Sequence, residues 1–237
     1  MPPSDKILNT EVCELYYFLV TITSIILQIF GISGNILTIL VMGQEREKSS
    51  TMQAICLLAM ADTMVLSTYI VPYSIVGMRK YIFGYLSDYN FVVVSSIYLF
   101  EIVRIFIQMS TFITMILGWQ RYVAVCLPHK AKQWCDTKIV NKLAIVSCLA
   151  SVVFYLPNFF LYHLKTNKEG IYDPEPTPLL TNRAFLAIHT IALTYLFSYL
   201  IPVGSLVFMS VKILINLKRN DIAGTSNRAQ TVRKDLT

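Results

Sequence analysis

The chain has 237 residues, 55% hydrophobic and 14% charged, with a mean hydropathy of +0.57, more apolar surface than one soluble core can hide. Its net charge is +6 and its pI near 9.0, but the basic residues segregate by connection instead of forming one patch, so no nucleic-acid partner is expected. No H-E-x-x-H, G-x-S-x-G or nucleotide-loop pattern occurs and the 3 histidines are scattered, so neither an enzyme, a cofactor nor a metal centre is expected.

In chain order, residues 1–14 precede the first apolar window and carry no cationic start or small-residue cleavage site, so no removable signal peptide is expected. Five nearly uncharged windows follow, at about 15–42, 52–76, 91–125, 139–161 and 184–217, each long enough to span the roughly 30 Å hydrocarbon core. They lack the polar/apolar alternation of barrel strands, and every backbone polar group in lipid needs an internal partner. The predicted fold is all-α, a multi-pass transmembrane helix bundle occupying 15–217, with membrane lipid as its solvent.

The connections fix the orientation. Arg46 and Lys48 lie in the first, Lys130, Lys132 and Lys138 in the third, and Lys218, Arg219, Arg228, Arg233 and Lys234 at the end; the opposite side has Arg79, Lys80, Lys165, Lys168 and Arg183. The richer side faces the cytoplasm, which leaves 1–14 extracellular. Between the fourth and fifth windows, Y-D-P-E-P-T-P over 172–178 predicts an extended outer loop, because its prolines fix φ and remove donors. Residues 218–237 read as a flexible cytoplasmic segment that resembles a loop about to re-enter the membrane, so the chain is expected to be a truncated part of a larger bundle. Of the 5 cysteines only Cys13 falls outside, so no extracellular disulfide is expected, and no N-glycosylation sequon occurs.

Three groups of residues stand out. Asp62 sits mid-span in L-L-A-M-A-D, where an ionised carboxylate costs several kcal/mol unless paired or hydrated. Asn35 and Ser110 fall at comparable depths; the three either form one polar cavity suited to a monovalent cation or a proton, or hydrogen-bond helix to helix. Arg121, next to Tyr122 and followed by Pro128, is a permanently charged group about one turn from the cytoplasmic interface, either functional or simply snorkelling. Glu101, Arg104 and Gln108 share a face in the outer half of the third window. Glu101 either receives a cationic ligand group or neutralises Arg104. Tyr98, Thr194 and Ser198, with Tyr73 and His189, are further candidates for a ligand-cavity wall, although Tyr73 and Tyr98 also suit an interfacial aromatic belt.

Gly34-Asn35, Leu58-Ala59-x-Ala61-Asp62, Arg121-Tyr122-x-x-Val125-x-x-Pro128 and Pro202 resemble, in order and spacing, the signatures of rhodopsin-like G-protein-coupled receptors. Within that family, A-V-C-L-P-H-K-A over 124–131, V-F-Y-L-P-N-F-F over 153–160 and Y-L-F-S-Y-L-I-P over 195–202 look most like invertebrate FMRFamide-type neuropeptide receptors. The resemblance covers five helices of the seven-helix receptor fold. It implies a sodium site that includes Asp62, Ser110 and Asn35, a switch arginine at Arg121, contact with a heterotrimeric G protein around Arg121, Tyr122, Pro128 and His129, and a bulge in the fifth helix at Pro202. The implied extracellular ligand is a neuropeptide or another small molecule.

Four positions depart from the family pattern. Gln120 replaces the acid before the switch arginine, and Ser96 the cysteine near the outer end of the third helix. Ser147 and Cys148 stand where the fourth-helix tryptophan is expected, and His129 follows the loop proline in place of a bulky aliphatic residue. These departures argue against a standard, efficiently coupling receptor; the alternatives are a non-signalling truncated receptor and a multi-pass transporter or channel. The transporter predicts an inverted repeat, and the sequence has none.

Overall fold

The computed structural model describes residues 3–46, 49–82, 89–168 and 170–235; side chains at 3–14, 17, 71–82, 89, 92 and 220–235 are not described. Helix α1 (Pro3–Gly43) runs into a turn and then α2 (Ser50–Ile82). Next, α3 (Tyr89–Val94) passes through a π-helical turn at Ser95–Leu99 into α4 (Phe100–Cys126). The short α5 (Pro128–Trp134) precedes α6 (Thr137–Tyr155), which tightens into a 3-10 turn, Leu156–Phe160. The hairpin strands β1 (Tyr162–Thr166) and β2 (Tyr172–Pro176) follow. After α7 (Pro178–Thr181) and α8 (Arg183–Phe185), two π-helical stretches, Leu186–Leu193 and Leu196–Leu200, lead into α9 (Ile201–Asp235).

Among the described residues, five helices are long and apolar enough to cross a membrane: Phe18–Gly43, Ser50–Ile70, Ser95–Cys126, Thr137–Phe160 and Arg183–Arg219. The third is the hub: α4 touches α2, α6 and α9, while α1 lies against α2. Lipid supplies no hydrophobic drive between helices, so close approach depends on small residues. Ala54, Ala59 and Ala61 on α2 are buried, and Ala54 joins Ile116 and Val140 in a cluster tying α2, α4 and α6. A Cβ at Gly31 would come within 2.7 Å of Leu66 Cδ1, and one at Gly118 within 2.8 Å of Leu206 Cδ2, so these leucine ends pack directly on the glycines where α1 meets α2 and α4 meets α9. The large apolar residues turn outward, as Phe30 does at 73% exposure, the inverse of a soluble protein.

Several hydroxyls inside the spans bond their own helix. Thr23, Ser24, Ser33 and Thr38 on α1 each donate to the carbonyl four residues back, as Thr111 and Ser147 do on α4 and α6. These bonds satisfy the hydroxyls within their own helix, at the cost of a slight local bend.

Two segments differ from expectation. The third connection, predicted as a loop, contains helix α5, which starts at Pro128, where the missing N–H costs nothing. The tail from Asn220, predicted as flexible, continues the helix to Asp235. The predicted extended segment at 172–178 is largely β2, paired antiparallel with β1 from Tyr162↔Pro176 to Thr166↔Tyr172, with Gly170 at φ 77° in the turn. Asn90, just before the third span, holds this hairpin: its Nδ2 donates to Gly170 O at 2.8 Å and its Oδ1 accepts from Tyr172 N–H at 2.7 Å.

Candidate functional site

The outer cavity is a consequence of three backbone irregularities. Pro157 ends the regular helix of the fourth span, and the 3-10 turn that follows swings Asn158 inward until it is buried. In the fifth span, π-helical winding precedes Pro202, and the Ile201 N–H bonds Leu196 O, five residues back. In that register Pro202, having no N–H, leaves Phe197 O without its helical partner. Gln108, buried on α4, supplies one instead, donating from Nε2 at 3.3 Å. Between these elements lies a cavity of about 270 Å³, lined by Arg104, Ile107, Gln108, Thr111, Tyr155, Asn158, Thr190, Thr194, Ser198 and Tyr199. Below it, Phe112 and Phe154 pack on Phe197, at centroid distances of 5.1 and 4.3 Å.

Of the residues singled out from the sequence, Arg104, Gln108, Thr194 and Ser198 line the cavity, and Glu101 and Tyr98 do not. Glu101 makes the intrahelical pair: its Oε1 accepts from Arg104 Nη1 at 2.9 Å, and its Oε2 accepts from Asn158 Nδ2 at 2.9 Å. Tyr98 stacks on Phe159, and His189 is sandwiched by Phe154 and Phe185. The Tyr73 side chain lies outside the described residues. Sequence reading missed Tyr155, whose hydroxyl pairs with Ser198 Oγ at 2.8 Å, and it missed Asn158 and Thr190. The signal for Asn158 was present, a lone amide in the apolar run V-F-Y-L-P-N-F-F.

At mid-depth, Ser110 Oγ donates to Asp62 Oδ1 at 2.5 Å, coupling α4 to α2. Asn35 makes no described hydrogen bond to either. Asp62 and Ser110 present the hard oxygens that a monovalent cation takes, but two such donors are fewer than a cation's usual shell. Their donor chemistry fits the implied ion, with the remaining ligands left to water or to other residues.

Near the C-terminal end of α4, Arg121 is exposed, and among the described residues no carboxylate pairs with it. Its neighbour Gln120 is buried and donates from Nε2 to Ser50 O at 3.3 Å, bracing α4 against the start of α2. Tyr122 faces Phe208, while Asn216 Nδ2 donates to Val125 O at 2.8 Å, so α4 and α9 are joined here. Pro128 and His129 are exposed on α5. Trp134 on that helix stacks on Trp119 of α4 with centroids 6.0 Å apart and planes 17° from parallel, and Lys130 Nζ lies 5.0 Å from the Trp134 ring centre. Burial raises the pKa of the Cys135 thiol, at the end of α5, above its ordinary value.

The family model for the 7 transmembrane receptor (rhodopsin family) matches residues 34–237. The chain belongs to that family. It is also similar to the FMRFamide receptor of Drosophila melanogaster, 26% identical over 200 residues that make up 82% of this chain and 36% of that protein. The chain thus spans about a third of the relative's length. This rhodopsin-like receptor chain is a multi-pass membrane protein of a non-enzymatic class.

Three of the four departures from the family pattern have a visible structural counterpart. Gln120 exchanges a charge beside Arg121 for a neutral hydrogen bond to α2. The Asn90 bridge to the hairpin stands in place of a cysteine link. Around Cys148, where the tryptophan would be, a largely apolar cleft of about 520 Å³ opens between α2, α4 and α6, lined by Met60, Met64, Phe106, Met109 and Ile145 among others.

Proposed function

We propose that the chain is the ligand-receiving and coupling part of a plasma-membrane receptor for an extracellular neuropeptide, with its N-terminus outside and a heterotrimeric G protein as its cytoplasmic partner. The observation that carries this reading is the outer cavity, a polar pocket in an otherwise apolar bundle with lining residues on three spans. From Arg104 at the cavity to Arg121, α4 is continuous and about 25 Å long at 1.5 Å per residue, most of the hydrocarbon thickness. One rigid helix therefore connects a ligand-facing residue to the coupling arginine. Ligand binding between α4 and the fifth span, whose π-helical winding gives it more than one way to pack, would shift the population toward a state that opens the cytoplasmic face. Asp62 and Ser110 form the polar node that this movement crosses, and Arg121, Tyr122, Pro128 and His129 form the coupling surface. The neuropeptide class follows the name of the fruit-fly relative.

The test uses the protein in the form its own transcript encodes. Cells expressing it are challenged with a panel of neuropeptides, and G-protein activation and transmembrane current are recorded together. Ligand-dependent activation without current is the expected result, and Arg121→Ala should abolish it with surface expression intact. Normal signalling from that variant removes Arg121 from the coupling role. A current without G-protein activation would favour a channel.

A further inference from the structure

Along α6, Lys138, Asn141, Lys142, Ile145 and Leu149 recur at the three- and four-residue spacing that places them on one face of a helix, and all of them are exposed. The face begins with two cations and continues as an apolar stripe. Among the described residues no carboxylate pairs with either lysine, and the neighbouring Asp136 accepts from the Thr137 hydroxyl. Because Cα–Cβ bonds tilt toward a helix N-terminus, and the N-terminus of α6 lies at the membrane surface, both long lysine stems carry their ammonium groups to headgroup depth.

Asn141 joins this face to α2. Gln53 Nε2 donates to Asn141 Oδ1 at 2.7 Å, and whichever way the two amides are assigned, one NH2 group of the pair is left to donate. Beyond that bridge the cleft of about 520 Å³ opens between α2 and α6, with α4 as its floor. Ala144 and Cys148 are small and leave room, while Met60, Met64 and Met109 line the space with unbranched thioethers that conform to an irregular occupant. Met64 is 52% and Ile145 61% exposed, so the cleft opens sideways, toward the hydrocarbon. Cys148 is about 16 Å from Thr137, where the span begins, at 1.5 Å per residue, so the cleft lies within one leaflet of the roughly 30 Å core. Water finds too few polar partners there, and an empty cleft forfeits its dispersion contacts, so hydrocarbon fills it. The lysines at its mouth decide which molecule supplies that hydrocarbon.

We infer that the cleft holds one anionic phospholipid. An acyl chain lies between α2 and α6 on α4, the ester region meets the Gln53–Asn141 amides, and the headgroup lies on Lys138 and Lys142. A sterol would set a rigid ring system against flexible thioethers and offer no charge to the lysines. Each lysine close to an anionic headgroup is worth about a factor of five in affinity, so two favour an anionic lipid over a zwitterionic one by tenfold or more. In the orientation proposed above this is the cytoplasmic leaflet, which carries the anionic lipids. The site is otherwise independent of the receptor reading and of the ligand in the outer cavity.

The experiment uses the protein, in the form its transcript encodes, in phosphatidylcholine nanodiscs. These contain a small fraction of a probe lipid with a photoactivatable diazirine in one acyl chain, and the probe is either phosphatidylserine or phosphatidylcholine. Crosslinked residues are located by peptide mass, and both leaflets carry the probe, so the outcome does not depend on orientation. The phosphatidylserine probe should mark Met60, Met64, Met109 or Cys148, on the order of tenfold more than the phosphatidylcholine probe. Replacing both lysines, Lys138→Gln with Lys142→Gln, should make the two probes equal, and Cys148→Trp, which fills the cleft, should remove the crosslinks there while leaving the lysines in place. Equal marking of the cleft by both probes in the wild type overturns the proposal, since the cleft then takes bulk lipid without reading a headgroup. Absence of crosslinks in the cleft overturns it as well, and so does displacement of the phosphatidylserine probe by cholesterol, which makes the site a sterol site. If Cys148→Trp does not fold, Ala144→Leu narrows the same cleft, and the exposed lysine variants decide the headgroup part.

Discussion

Trp119 and Trp134 are the 2 tryptophans of the chain, and they are stacked on each other, which makes the docking of α5 both fragile and measurable. At 7 residues, α5 is far below the roughly 12–15 at which an isolated helix becomes marginally stable, so its order depends on what it touches. A near-parallel aromatic pair contributes about 0.5–1.5 kcal/mol beyond burial, and the Lys130 ammonium over Trp134 about 0.5–1 kcal/mol at an exposed site. Trp134→Leu removes both, about 1–2.5 kcal/mol, and should raise the local opening of α5 by roughly 5- to 70-fold, since about 1.4 kcal/mol is a factor of ten. Hydrogen exchange at the Lys130 and Cys135 amides, which bond Leu127 O and Ala131 O, should accelerate by that factor while exchange in α4 and α6 stays unchanged. Alkylation of Cys135, slowed in the wild type by the raised pKa that burial causes, should accelerate in parallel. The stacked indoles should also give a coupled circular-dichroism couplet that either single substitution abolishes. If the spectra of the two single variants sum to that of the wild type, and exchange at Lys130 and Cys135 does not change, α5 is held by something other than this pair and the reasoning fails.

Other outcomes follow from the same contacts. Ser110→Ala should destabilise the bundle by about 1–3 kcal/mol by leaving Asp62 Oδ1 unpartnered mid-span, and adding Asp62→Leu should recover part of that loss in a thermal unfolding cycle; a single variant as stable as the wild type would mean water or another group serves Asp62. Gly118→Ala places a Cβ 2.8 Å from Leu206 Cδ2 and 3.4 Å from Met209 Cε, both flexible side-chain ends that can shift, and should cost little, whereas Gly118→Val adds two further methyl groups at the same contact and should cost about 1–3 kcal/mol. Lys165 has its pKa raised above the ordinary 10.5, first by the hydrogen bond it donates to Glu175 at 2.8 Å and then by that carboxylate's charge. The contribution of this pair to the hairpin is therefore complete below about pH 10.5 and lost as pH rises through the raised value. Exchange of the β1–β2 amides, corrected for the intrinsic rate, should increase in that window, and Lys165→Gln should abolish the dependence.

The spans were legible because hydropathy over 20 residues is a one-dimensional property, and lipid enforces helix wherever it holds. The pairings across spans were legible only where depth could be counted, as for Asp62 and Ser110. Asn158 escaped because its position is set by Pro157, which ends a helix and rotates the next residues through an angle that a linear reading does not supply. Glu101 drew a ligand-binding reading because a carboxylate in an apolar helix invites one; its second partner lies 57 residues away in sequence. The carbonyl that Gln108 reaches became available only through the π register before Pro202, and no residue pattern marks that register. Helix α5 was hidden by its basic, polar sequence, and its main anchor, Trp119, lies on another element.

The Asn90 bridge has a consequence for how the outer hairpin behaves over time. A covalent link closing the 80 residues between Asn90 and Gly170 would restrain the unfolded chain by about 4.5 kcal/mol in a loop-entropy account, and it would persist through every opening. Two amide hydrogen bonds contribute about 0.5–1.5 kcal/mol each and re-form after every break. The hairpin is tethered to the start of the third span by a latch and not a weld: these two bonds break and re-form without any thiol chemistry, so reducing agents leave the tether as it is.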